Sequence, residues 1–120
     1  MIDVVKVAKA VRKIMNLSED DTFDIMPTVS VACAQLTDRL KKAENSKDPR
    51  VINAAVYLSY YRLLLRNAAQ DDTPTSFKAG DVTISQSPTL ALEKASVLRD
   101  ESIIAAAPLL EDMDFVFRQV

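Results

Sequence analysis

Asp48-Pro49-Arg50-Val51-Ile52-Asn53-Ala54-Ala55-Val56-Tyr57-Leu58-Ser59-Tyr60-Tyr61-Arg62-Leu63-Leu64-Leu65-Arg66-Asn67-Ala68-Ala69 is the stretch that decides the fold. Asp48 suits a helix N-cap and Pro49 the first helical position, where a missing N–H costs nothing. At 100° per residue, Val51, Ala54, Leu58, Tyr61 and Leu65 share one side. Tyr57, Tyr60 and Leu64 widen that side, and Val56 and Leu63 widen it further. Only a narrow stripe around Ser59, Arg62 and Arg66 is polar. A helix that is apolar nearly all round is either central to a bundle or seated at a subunit interface. The three tyrosines fit either place, with a ring for packing and a hydroxyl for water.

Upstream of this stretch, two amphipathic helices are expected. The first covers residues 3–15. Asp3 is its cap, and Val4, Val7, Ala8, Val11, Ile14 and Met15 form the inner stripe. Lys6, Lys9, Arg12 and Lys13 fall on the opposite face. A solvated outer face accounts for them, and contact with nucleic acid or an acidic partner is the alternative. Ser18-Glu19-Asp20-Asp21 resembles a helix start and lacks the spacing of a calcium loop. The second helix is expected over residues 25–43, capped by Asp24, with Pro27 in its first turn. Its inner stripe is Ile25, Val29, Ala32, Cys33, Leu36, Leu40 and Ala43, which makes Cys33 a buried structural thiol.

Downstream, residues 70–76 read as a polar linker. Val82 and Ile84 then alternate with Thr83 and Ser85 after a Gly80-Asp81 turn, the period of a short β-hairpin or extended loop. Ser87-Pro88 opens a fourth helix to about residue 107. Leu92, Ala95, Ile103 and Ala106 make one stripe with Arg99 inside it, and Leu90, Val97 and Ile104 make a second on nearly the other side. Such a helix wants two partners, its own core and a neighbouring chain. Arg99 either pairs with an acid across that boundary or snorkels to water. Pro108 ends the helix, and Phe115 and Phe117 alternate with Val116 and Arg118 in a short strand-like tail that needs cover. The expected fold is all-α, one domain over residues 1–120, a bundle of about four helices with the hairpin or loop between the last two.

Composition narrows the function. The chain has 120 residues, is 48% hydrophobic and 27% charged, and carries a net charge of −2. This length can bury roughly two-thirds of its unfolded surface without staples. The mild acidity weighs against a dedicated nucleic-acid binder. No His is present, which excludes His metal sites and Ser-His or Cys-His catalysis. A lone Cys33 excludes an internal disulfide, and a single Gly excludes Gly-rich phosphate loops. The N-terminus lacks a signal-peptide pattern, and no apolar run reaches the ~18 residues of a spanning helix. A soluble, intracellular, non-enzymatic protein without cofactor or metal is expected.

Two helical hairpins, the Ala79-Gly80-Asp81-Val82-Thr83-Ile84-Ser85 segment, a long Ala-rich helix and the Pro108-Leu109-Leu110-Glu111-Asp112-Met113-Asp114-Phe115-Val116-Phe117 ending together resemble the small phage head–tail connector, or neck adaptor, proteins. The likeness covers the whole chain in layout, and its sharper elements are residues 77–85 and 105–117. It implies a structural protein of the virion. Such proteins form a ring on the portal after packaging, extend the DNA channel and give the next neck or tail protein a platform. DNA then passes without sequence-specific binding, and no membrane or cofactor is involved. The expected contact residues are Phe77, Lys78, Gly80, Asp81, Val82, Ile84 and Arg99 for subunits or neighbours, and Phe115 and Phe117 for docking. A helical adaptor that homodimerises through its third helix is the alternative.

Overall fold

The computed structural model describes residues 1–70 and 88–111. Four α-helices run α1 (Val4–Met15), α2 (Thr22–Arg39), α3 (Pro49–Gln70) and α4 (Pro88–Ala106), with 3₁₀ turns at Glu19–Asp21, Ala43–Lys47 and Ala107–Leu109. The all-α bundle is the expected one. The hairpin or loop expected at 77–85 and the strand expected at Phe115 and Phe117 lie outside the described residues.

α1 starts where the cap chemistry places it. The Asp3 carboxylate accepts from the Val5 and Lys6 backbone N–H groups at 3.1 and 3.2 Å. At the other end Asn16 takes a left-handed conformation, φ 57°, and its N–H closes on the Arg12 and Lys13 carbonyls. Asparagine tolerates that region better than most side chains.

α2 departs from expectation at both ends. It begins at Thr22, so Asp24 lies inside the first turn and is not the cap. The 3₁₀ turn at Glu19–Asp21 feeds directly into it. There the Asp21 carboxylate accepts from the Ser18 N–H and hydroxyl at 3.1 and 3.2 Å. Pro27 therefore sits inside the helix. Its ring removes the bond that would reach the Phe23 carbonyl, a tolerable loss because that turn is exposed to water. The helix stops at Arg39, short of residue 43, because Leu40 turns extended and forms an antiparallel bridge with Leu110. The Lys41 N–H donates to the Leu109 carbonyl at 3.0 Å and the Glu111 N–H to the Arg39 carbonyl at 2.7 Å. This clasp is the only extended pairing among the described residues.

α3 opens at Pro49 as expected. The Val51 and Ile52 N–H groups donate to the Asp48 carbonyl, and the Arg50 N–H donates to its carboxylate at 2.9 Å. The Arg50 side chain adds two further bonds at 3.1 Å, and together these hold the Asp48 carboxyl below the usual carboxylate range. α3 is the central element. α1 and α2 pack on it and on each other, while α4 packs chiefly on α3. Val7, Val11, Val29, Leu36, Val51, Leu58, Leu63 and Ile103 are buried in one continuous core, sealed by Ile2 and Leu110. The chain order is up-down-up-down. The Ile2 N–H reaches the Thr37 hydroxyl at one pole, and Arg66 near the end of α3 reaches Asp24 near the start of α2 at the other.

Candidate functional site

Arg99 is the one expected contact residue among those described, apart from which the set falls on 77–84 and 115–117. It is only 3% exposed. Its guanidinium carbon stands 4.3 Å over the Tyr61 ring centroid, and its Nε donates to Asp100 at 2.9 Å. The acid that pairs with it thus belongs to its own helix. Arg99 does not snorkel to water; it fastens α4 to α3. Its charge also reaches Arg62, whose pKa is lowered first by burial and then by the like charge of Arg99. Tyr57 and Tyr60 pack edge to face with centroids 6.5 Å apart. The tyrosines of α3 are therefore engaged at the rim of this chain's own core. Ser59, buried among them, turns its hydroxyl back to the Ala55 carbonyl at 2.7 Å and so needs no outside partner.

Among the described residues the surface carries an apolar stripe on each of two helices. On α4 it is the second stripe of the sequence, Leu90, Val97 and Ile104, at seven-residue spacing, with Ile104 65% exposed and Leu98 alongside. The stripe on α2 comprises Phe23, Pro27, Val31 and Ala34, at spacings of four, four and three, with Phe23 90% exposed. Sequence reasoning missed it because Phe23 fell before the expected helix start. A start at Thr22 puts those four on one face. The α2 stripe recurs at every turn, whereas on α4 Glu93, Lys94, Asp100 and Glu101 stand between the apolar positions; exposed apolar side chains grouped on a helix face suit an interaction site. α3 lies between the two helices, so the stripes are separate surfaces with different side chains.

The outer face of α1 is basic. Lys6, Lys9 and Lys13 are exposed, and Arg12 is half-buried beside them. An open cavity of about 610 Å³ is lined by Lys9, Ala10, Arg12, Lys13, Asn16 and Leu17. A second, of about 350 Å³, shares Lys9 and Arg12 and runs on to Glu19, Thr22 and Met26.

Cys33 is fully buried, and burial pushes its thiol up to about 11, with Asp3 adding to the rise. A thiol so held stays protonated and un-nucleophilic at neutral pH. Among the described residues no three His, Cys, Asp or Glu side chains stand together as metal ligands. Nor is any helix among them long and apolar enough to cross a membrane. Comparison with known protein families, curated proteins and solved structures finds no match to this chain.

Proposed function

We propose that this chain is a structural, non-enzymatic head–tail connector of a phage or prophage, which assembles as a ring on the portal and joins the DNA-filled head to the tail. The observation that supports the reading best is the pair of unlike apolar stripes on α2 and α4. A ring of identical subunits needs a heterologous interface, in which one patch of a subunit meets a different patch of the next. A twofold dimer needs only one self-complementary patch. α3, the surface through which the alternative homodimer would form, is largely spent on α1, α2 and α4 of its own chain. The likeness of residues 77–85 and 105–117 to the connector proteins points the same way. On this reading Phe77, Lys78, Gly80, Asp81, Val82 and Ile84 meet a neighbour, Phe115 and Phe117 dock on the portal or the next neck protein, and Arg99 acts from behind by fixing α4.

The test is quantitative mass spectrometry of purified, DNA-filled particles after prophage induction in the source organism. Presence of the chain at a copy number matching the portal supports the connector. Absence from those particles overturns it and leaves the homodimerising adaptor, which would show as a discrete small oligomer in dilute solution.

A further inference from the structure

The basic face of α1 is not used by either apolar stripe, and it stands against the sign of the rest of the molecule. Between Val4 and Met15 there are four cations and no acid, while the remaining residues hold 11 cations against 17 acids. The helix therefore carries +4 and everything else −6. The cations are also neighbours. Lys6–Lys9 and Lys9–Arg12 are three apart and Lys9–Lys13 four apart, spacings at which like charges face each other and destabilise a helix. The helix dipole rewards Arg12 and Lys13 in the last turn, but its effect does not extend back to Lys6 and Lys9.

Among the described residues, none of the four is in an ion pair, and the buried Arg12 Nε finds no acceptor, although Glu19 lines the smaller of the two cavities that Arg12 borders. Arg12 borders both cavities, and Lys9 and Lys13 line the larger one with it.

We infer that the outer face of α1 binds the phosphate backbone of duplex nucleic acid, without reading its sequence. The dimensions agree. Lys6 to Lys13 is seven residues, about 10.5 Å of helix rise. A B-form strand advances about three phosphates over that length, at ~3.4 Å each. The opposing face of α1, with Val7, Ala8 and Val11, is buried in the core, and the large apolar side chains that α1 leaves exposed, Val5 and Ile14, stand on opposite sides of the helix, so they form no continuous face to enter a bilayer as a membrane-surface helix requires. The inference does not depend on the connector reading, and it adds a contact that reading does not need.

The test uses the full chain and a fluorescein-labelled duplex of about 20 base pairs, titrated by anisotropy between about 25 and 200 mM salt. Three to four phosphate contacts predict a slope of log affinity on log salt near −3. The double variant Lys9→Gln/Lys13→Gln should shallow that slope by about 2, with an unchanged circular dichroism spectrum because both side chains are exposed. If that variant folds poorly, Lys6→Gln alone should shallow the slope by about 1. Absence of binding at the lowest salt overturns the inference. So does an unchanged slope in the variants, a tenfold preference between two duplexes of equal length, or tighter binding to phosphatidylserine vesicles than to duplex.

Discussion

Arg99 and Tyr61 offer the sharpest test of how α4 is held. A cation over an aromatic face contributes about 0.5–1 kcal/mol when exposed and about 2 when desolvated. Arg99 lies at the desolvated end of that range, 4.3 Å over the ring with 3% of its surface exposed. A double-mutant cycle with Arg99→Met and Tyr61→Leu isolates the pair, since methionine keeps most of the stem volume and leucine removes the ring quadrupole. Arg99→Met alone should be mild. It deletes a buried charge, frees Arg62 from a like charge, and leaves Asp100 with over a third of its side chain in water. Tyr61→Leu should cost more, because the cation stays buried with less beneath it. The Arg62 contribution enters both arms that remove Arg99 and cancels in the coupling. The expected coupling is about 1–2 kcal/mol, a five- to thirty-fold change in the unfolding equilibrium constant. Urea titrations of the four proteins read it directly, provided the slopes agree. The coupling should survive 0.5 M salt, since a buried pair is poorly screened. A coupling within about 0.3 kcal/mol of zero would refute the claim that this contact fastens the helix.

Two further outcomes are expected. Phe23→Glu and Val97→Glu each spoil one apolar stripe and leave the other intact, so each variant alone should remain monomeric at concentrations where the wild type associates. An equimolar mixture should give a heterodimer and stop there, as sedimentation velocity would show, and species larger than a dimer in the mixture would contradict head-to-tail association. The raised pKa of Cys33 also makes stability depend on pH. The folded chain holds the thiol protonated up to about 11, against 9.0 for the free group, so the stabilisation is complete below pH 9 and is lost as pH rises to 11. The loss reaches about 2–3 kcal/mol relative to Cys33→Ala, and parallel stability curves for the two proteins across that window would contradict it.

Local signals carried most of the fold. Asp3 caps α1 and Asp48-Pro49 opens α3 because cap chemistry is written within a few residues of each start. α2 was harder. Asp24 and Pro27 together imitate a start, whereas the real one lies at Ser18 and Asp21, where carboxylate and hydroxyl meet. Its end depends on Leu110, seventy positions away, which no window along the chain can see. The same holds for the sites. The outward stripe of α4 is visible as a repeat of seven, but that of α2 appears only once Phe23 is inside the helix. Arg99 was visible as a cation in an apolar stripe, while its aromatic platform, Tyr61, is brought to it by the packing of α4 on α3.

The clasp between Leu40 and Leu110 has an architectural consequence. It brings the chain after α4 to the pole where Ile2 meets Thr37, whereas the chain leaves α3 and enters α4 at the far pole, beside Asp24 and Arg66. α3 spans 22 residues, so these points of departure are about 33 Å apart. Gln70, from which the chain runs on toward the contacts proposed at 77–84, and Glu111, from which it runs on toward Phe115 and Phe117, thus lie at opposite ends of the helix bundle. The helix bundle thus has an axial polarity: the end of α3 and the residue that follows the Leu110 bridge are held at opposite poles, with a stiff column of helix between them setting the separation.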